Sequence, residues 1–156
     1  MYMIVKLLHI ASVIAFLGNI VTGLFWHAHA VRTKEAKLLA HAMGGIIRSD
    51  RLFTMPGVLG IIISGIGAAQ LGGYPLLRTD WILWAIVLFS ISGLAFMFRV
   101  APLQRQLHRL AQSGVQSGSF DFGRYQRLAV QWEIWGAVAL LTPLAALVLM
   151  VLKPDR

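Results

Sequence analysis

Four segments of this chain are long and apolar enough to cross a lipid bilayer, and they constrain its fold more than any other feature. They cover residues 3–26, 52–71, 81–97 and 128–152. A hydrocarbon core of about 30 Å requires roughly 20 apolar residues in an α-helix. Backbone polar groups in lipid must be paired internally, so a spanning segment is a helix or part of a closed barrel. Long continuous apolar runs do not match alternating barrel strands, and the sequence therefore predicts an all-α, four-helix transmembrane bundle.

Positive charge is concentrated in the two connections that lie on one side of the predicted bundle. Residues 27–51 and 98–127 carry ten of the fourteen lysines and arginines, five in each connection. Cytoplasmic loops of membrane proteins are enriched in Lys and Arg. We therefore predict that these basic loops are cytoplasmic, with both termini periplasmic, in a bacterial inner membrane. Anionic lipid headgroups account for the net charge of +8, so no nucleic-acid partner is expected.

The composition of the chain excludes several kinds of chemistry. Its 156 residues form a single membrane domain with 58% hydrophobic residues and no cysteine, which excludes disulfides, thiolate metal ligands and cysteine nucleophiles. Six acidic residues are too few for us to predict a dedicated metal site. Ala28-His29-Ala30 matches a signal-cleavage pattern, but the first apolar run far exceeds the usual signal core of about 7–15 residues. We therefore expect this run to be a span.

Two histidines on the first apolar segment are the strongest candidates for binding a cofactor. His9 and His27 are eighteen residues apart, so on an α-helix they share one face at a separation of about 27 Å. Membrane b-type cytochromes place axial histidines toward both surfaces of a helical bundle. We therefore predict haem b, with His9 as the favoured ligand and His27 as the second. The other three spans lack histidine, and the alternative is that His9 forms hydrogen bonds within the bundle.

An acidic residue in the fourth span lies at the same predicted depth as three possible cations. Glu133 is one or two turns inside that span, level with Arg51, Arg99 and His27. Pairing with a cation lowers the cost of burying a carboxylate. We predict that Glu133 pairs with one of these three residues, in a purely structural role or as a proton relay or substrate anchor. Asn19 and Asp50 are further polar candidates in or beside spans.

The second span has a face of small residues, because Gly60, Ser64 and Ala68 recur every four positions. Such rows allow helix backbones to approach closely in lipid. We predict that this face packs within the bundle. The alternative is a homodimer contact or the flat surface of a cofactor.

Several residues predict helix boundaries and bends. We expect Gly44-Gly45 to break the helix that precedes the second span, and Ser49-Asp50 to cap the first turn of that span. Residues 112–123 are rich in Gly and Ser and predict a mobile loop. Pro143 predicts a bend in the fourth span.

Several short motifs, taken together, resemble one known family. They are Lys6-Leu7-Leu8-His9, Gly18, the run Ser49–Pro56, Trp132, Gly136 and the ending Leu149–Pro154. They resemble an uncharacterised family of bacterial integral membrane proteins, domain of unknown function 2269, over essentially the whole chain. This resemblance implies no activity.

A more distant likeness rests on the four-helix layout with Leu8-His9 early in the first span. It is similar to copper-resistance CopD-type proteins and to bacterial four-helix protoporphyrinogen oxidases. The similarity implies haem association and quinone-linked redox chemistry, with His9 at the ligand position. The oxidases also have an aromatic-rich Trp-x-Ala-Gly-x-Phe-Tyr-x-x-Arg stretch, which this chain replaces with Phe16-Leu17-Gly18-Asn19-Ile20.

These observations leave three classes of function open, and whether the chain is an enzyme is undetermined. The first expectation is a haem-associated protein that handles porphyrin or transfers electrons to or from quinone. The second is a non-enzymatic accessory subunit that docks a larger membrane complex, or a homodimer, through Gly60 and Ser64. The third is a small transporter that depends on Glu133.

Overall fold

The computed structural model describes residues 1–153 and consists of four long helical segments joined by short turns. Helix α1 covers Tyr2–Thr33 and α6 covers Phe122–Leu152. Between them, α2 (Ala36–Ser49) continues through a π turn at Asp50–Thr54 into α3 (Met55–Leu71). After the next turn, α4 (Asp80–Ala95) continues through a second π turn at Phe96–Val100 into α5 (Ala101–Ser117). Pro154, the last residue of the ending that carries the family resemblance, lies outside the described residues.

The four predicted spans are confirmed as helices that are long and apolar enough to cross a membrane. The basic connections, however, are mostly helical and not loops. The predicted break at Gly44-Gly45 is wrong, because α2 runs through both glycines. The predicted mobile loop is also wrong over residues 112–117, which belong to α5. Tertiary packing overrides the low helix propensity of glycine here, since α2 and α5 bury Leu39, Met43 and Leu107 between them.

The surface divides the molecule into an apolar half and a basic half. Large exposed apolar side chains are frequent along the four spans, but Leu38 is the one example in residues 27–51 and Val115 the one example in residues 99–129. We call residues 27–49 and 101–127 the basic headpiece. The apolar half has the surface that lipid requires, and the headpiece has a surface suited to water and lipid headgroups.

Within the apolar half the helices pack mainly as two pairs, α1 with α3 and α4 with α6. Glycines bring α1 and α3 close together, because Gly57 lies against Phe16 and Gly60 lies against Ser12. Ser64 on the same face is buried. At Gly60 and Ser64, the small-residue face of α3 therefore packs against α1 within the same chain.

Candidate functional site

A buried carboxylate, Asp50, lies where α2 meets α3. Its side chain is 8% exposed. Oδ1 accepts hydrogen bonds from Asn19 Nδ2 on α1 and from Thr54 Oγ1, both at 2.9 Å. Oδ2 accepts one from Gln104 Nε2 on α5 at 2.8 Å. Asn19 also donates to Thr54 Oγ1 at 2.9 Å, so three chain segments converge on one carboxyl group.

The Asp50 site contains no positive charge. All three hydrogen-bond donors are neutral, and no lysine or arginine within residues 1–153 pairs with Asp50. An ionised carboxylate removed from water is costly without a cationic partner, although hydrogen bonds offset part of that cost. The site therefore balances two opposing effects. The apolar surroundings favour the neutral acid, and the three donors favour the carboxylate.

Both π turns flank this site. A π turn holds one extra residue relative to an α-helix and is frequent at functional sites. Asp50 begins the first π turn and Thr54 ends it, and at this spacing of four residues the two side chains lie on the same face of the helix. Gln104 lies one turn beyond the second π turn. The prediction that Asp50 caps a helix is wrong, because the helix continues and Asp50 binds Asn19, Thr54 and Gln104 instead.

A small cavity adjoins Asp50. Its volume is about 20 Å³, and its lining includes Asn19, Asp50, Gln104 and Trp132. A cavity needs roughly 10–15 Å³ and several polar partners to hold a water molecule. The indole Nε1 of Trp132 is buried without a hydrogen-bond partner. The cavity thus has room for one water and polar groups that can bind it.

A second polar cluster lies at the end of α1 that enters the headpiece. The imidazole of His27 is fully buried, and its Nε2 lies 3.1 Å from the hydroxyl of Tyr125. Its Nδ1 lies 3.5 Å from Oε1 of Glu133, whose side chain is 45% exposed. His27 also packs edge-to-face on Trp132, with ring centroids 4.6 Å apart. Trp132 therefore contacts His27 and also lines the cavity beside Asp50.

His9 lies at the other end of α1, against α3. Its Nδ1 is 3.2 Å from the carbonyl oxygen of Ile61 and 3.3 Å from the hydroxyl of Ser64. Gly65 allows this approach, since a Cβ at that position would lie 3.1 Å from the His9 ring. Along α1, His9, Ser12 and Asn19 all face α3 or its π turn. The interface of α1 and α3 therefore carries polar groups from Asp50 toward the far end of the bundle.

The arginines predicted to pair with Glu133 lie elsewhere. Glu133 approaches His27, and among the described residues neither Arg51 nor Arg99 comes within ion-pairing distance of it. Arg99 lies over the ring of Trp135, 5.2 Å from its centroid. Of the three residues predicted as partners of Glu133, His27 is the one within ion-pairing distance, at 3.5 Å.

The predicted haem ligands differ in how well their surroundings fit an axial ligand. Nε2 of His27 lies beside the Tyr125 hydroxyl, and Trp132 packs against the imidazole ring. Nδ1 has no hydrogen-bond partner within residues 1–153 and lies 3.5 Å from Oε1 of Glu133. His9 is half-buried and uses only Nδ1 in the bundle. Hydrogen bonding of one ring nitrogen to a carbonyl is also usual for metal-bound histidines, so His9 remains able to ligate through Nε2.

Sequence reasoning missed three members of these clusters, Thr54, Gln104 and Tyr125. All three are buried, but each belongs to a residue type that is common on helix surfaces. Their roles depend on their partners: Thr54 and Gln104 bind Asp50, which is 4 and 54 positions away, respectively. Tyr125 binds His27, which is 98 positions away. The one local signal is the polar pair Asp50 and Thr54 at the edge of an apolar span.

A family model described as predicted integral membrane protein (DUF2269) matches residues 3–154. No curated protein and no solved structure matches the chain.

Proposed function

The chain belongs to the predicted integral membrane protein family DUF2269, and from this premise we propose that it is a small transporter that moves protons across a bacterial inner membrane. Asp50 is the group that takes up and releases the proton. The observation that carries the proposal is a buried carboxylate bound by three neutral donors without a cation. An ionisable group inside a membrane bundle is costly, and such groups commonly lie on proton pathways.

The end of the bundle next to the headpiece supplies a route between the surface and Asp50. Glu133 is partly exposed and exchanges a proton with His27, whose Nδ1 lies 3.5 Å away. Tyr125 binds Nε2 and holds the imidazole in place. Trp132 lies between His27 and the cavity, where a water bound to its Nε1 would connect the route to Asp50.

The interface of α1 and α3 supplies the route away from Asp50. Asn19 and Thr54 connect Asp50 to this interface. Farther along, the hydroxyl of Ser12 lies at Gly60, and His9 contacts Ser64. The imidazole of His27 is fully buried, and burial favours its neutral form, so it would hold a proton only transiently. His9 and His27 lie on opposite sides of Asp50, and in this proposal both act as transient proton carriers.

Proton flux into proteoliposomes tests the proposal. We expect purified protein to acidify vesicles that contain a pH-sensitive dye when a potential is applied. Asp50→Asn keeps the shape of the side chain but cannot carry the proton, so its flux should fall about 10²-fold, as for loss of a proton-transfer group. Glu133→Gln should reduce flux as well. Wild-type flux in Asp50→Asn would contradict the proposal.

Asp80→Asn is the matched control for loss of an acidic residue. Asp80 is exposed at the start of α4, and its side chain caps no backbone group there. This variant should retain wild-type flux. An equal loss of proton flux in Asp80→Asn and Asp50→Asn would indicate an effect of net charge. It would contradict a specific role for Asp50.

A second candidate function, haem association at His9, is favoured by the environment of that residue. The carbonyl of Ile61 holds Nδ1 of His9, which leaves Nε2 for an axial ligand. Haem would supply electron-transfer chemistry there. An absorption spectrum of detergent-purified protein from cells supplied with haem precursor tests this candidate. If haem binds at His9, the spectrum should show a Soret band that is lost in His9→Ala. A flat visible spectrum would contradict haem association.

A further inference from the structure

An open pocket on the headpiece, between α2 and α5, is separate from the Asp50 site. Its volume is about 270 Å³, slightly below the usual range of about 300–1,000 Å³ for sites that hold drug-sized ligands. Four polar side chains line it, and they come from both helices: His41, Arg48, His108 and Gln112. We infer that this pocket binds a phosphate-type anion, carried by a lipid headgroup or by a free phosphorylated molecule.

Two consecutive glycines, Gly44 and Gly45, line this pocket. Glycine inside a helix is destabilising relative to alanine, yet α2 runs through Gly44 and Gly45 without interruption. Gly44 provides space for His108, because a Cβ there would lie 3.1 Å from its Nε2. A Cβ at Gly45 would have no atom within 4 Å, so this position opens into the pocket. The glycine pair thus costs helix stability and creates the concave surface.

The charge around the pocket favours an anion. Neither α2 nor α5 contains an acidic residue. Together they carry four fixed cations, Lys37, Arg48, Arg105 and Arg109. Within the described part of the chain the only side-chain ion pair is His27–Glu133, so the guanidinium of Arg48 has no acidic partner.

The donor set in the pocket matches a phosphate group. Arginine presents a planar set of N–H donors that binds phosphate oxygens in pairs, and it is favoured in phosphate recognition for that reason. The amide of Gln112 and the imidazole N–H groups of His41 and His108 add neutral or positive donors. A divalent cation would instead require carboxylates, which the pocket lacks.

Calorimetric titration of the full-length protein in detergent, with inorganic phosphate as the probe, tests this inference. Arg48→Gln removes the charged donor and should weaken phosphate binding by about 10- to 100-fold. Gly45→Leu should abolish binding, because its side chain fills the pocket without a clash at Cβ. Gly93→Leu is the matched control, since a Cβ at Gly93 also meets no atom within 4 Å but Gly93 lies outside the pocket. Circular dichroism verifies that each variant is folded.

A second arm distinguishes the two sources of the anion. The same proteins are placed in nanodiscs of phosphatidylcholine with phosphatidic acid, and native mass spectrometry counts the retained anionic lipid. Phosphate binding that is lost in Arg48→Gln and Gly45→Leu supports a free phosphorylated ligand. Retention of phosphatidic acid that is lost in the same variants, without phosphate binding in detergent, supports a lipid headgroup. Binding of neither probe, or binding that both variants retain, would overturn the inference.

Discussion

At the scale of single residues, Asp50 and Glu133 illustrate two different environments for an acid in a membrane bundle. Asp50 is buried among neutral hydrogen-bond donors, whereas Glu133 is partly exposed beside His27. Loss of a hydrogen-bond partner is more costly at the buried site, because water cannot replace it. Variants of the two sites should therefore differ in stability as well as in flux.

Asn19→Ala tests the hydrogen bonds around Asp50. It leaves the carboxylate and the hydroxyl of Thr54 each without one donor, so we expect the free energy of unfolding to fall by about 1–3 kcal/mol. Thermal or denaturant unfolding in detergent measures the change. Thr22→Ala is the control, since its exposed hydroxyl bonds only the carbonyl of Gly18 in the preceding turn. Equal stability losses in the two variants would contradict a special role for the cluster.

At the scale of helices, the contact between α1 and α3 depends on specific glycines. A Cβ at Gly60 would collide with the hydroxyl of Ser12, whereas a Cβ at Gly18 would meet no atom within 4 Å. Gly60→Ala should lower the free energy of unfolding by about 1–3 kcal/mol through overpacking. Gly18→Ala should raise it by up to about 1 kcal/mol through helix propensity. Unfolding measurements on the pair test this, and an opposite ordering would show that α3 does not pack on α1 at Gly60.

The sequence predicts the spans well and the polar site poorly, for a physical reason. Hydropathy is a local property, so the four apolar segments could be predicted. Gly44-Gly45 and Asp50 were misinterpreted because their roles depend on distant partners, His108 for Gly44 and Gln104 for Asp50. Asn19, His9 and His27 were recognised as polar groups in a span, but their neighbours could not be derived from spacing alone.

At the scale of the whole molecule, the basic headpiece predicts the orientation in the membrane. The turn between α3 and α4 carries one cation, Arg78, whereas residues 27–51 and 98–127 carry five each. The headpiece should therefore be cytoplasmic, with both termini on the opposite side. Because the chain has no cysteine, single cysteines placed at Leu77 and Ser119 report the orientation cleanly.

In intact cells, a membrane-impermeant maleimide should label Leu77→Cys in the turn between α3 and α4. The same reagent should label Ser119→Cys, in the turn between α5 and α6, only after the cells are permeabilised. Both positions are exposed, so accessibility within the protein does not bias the comparison. Labelling of Ser119→Cys in intact cells would show that the headpiece lies outside the cell, which contradicts the predicted orientation.

The most direct test of the account is an infrared pH titration of the purified protein, because it observes the buried carboxyl group itself. Glu133→Gln serves as the background, so that the other acid of the route does not contribute. We predict a carbonyl band of a protonated, buried carboxylic acid at acidic pH, its disappearance as pH rises, and its absence from the double variant with Asp50→Asn. A spectrum in which Asp50 stays ionised throughout, or a band that persists in Asp50→Asn, would contradict the claim that Asp50 exchanges the proton.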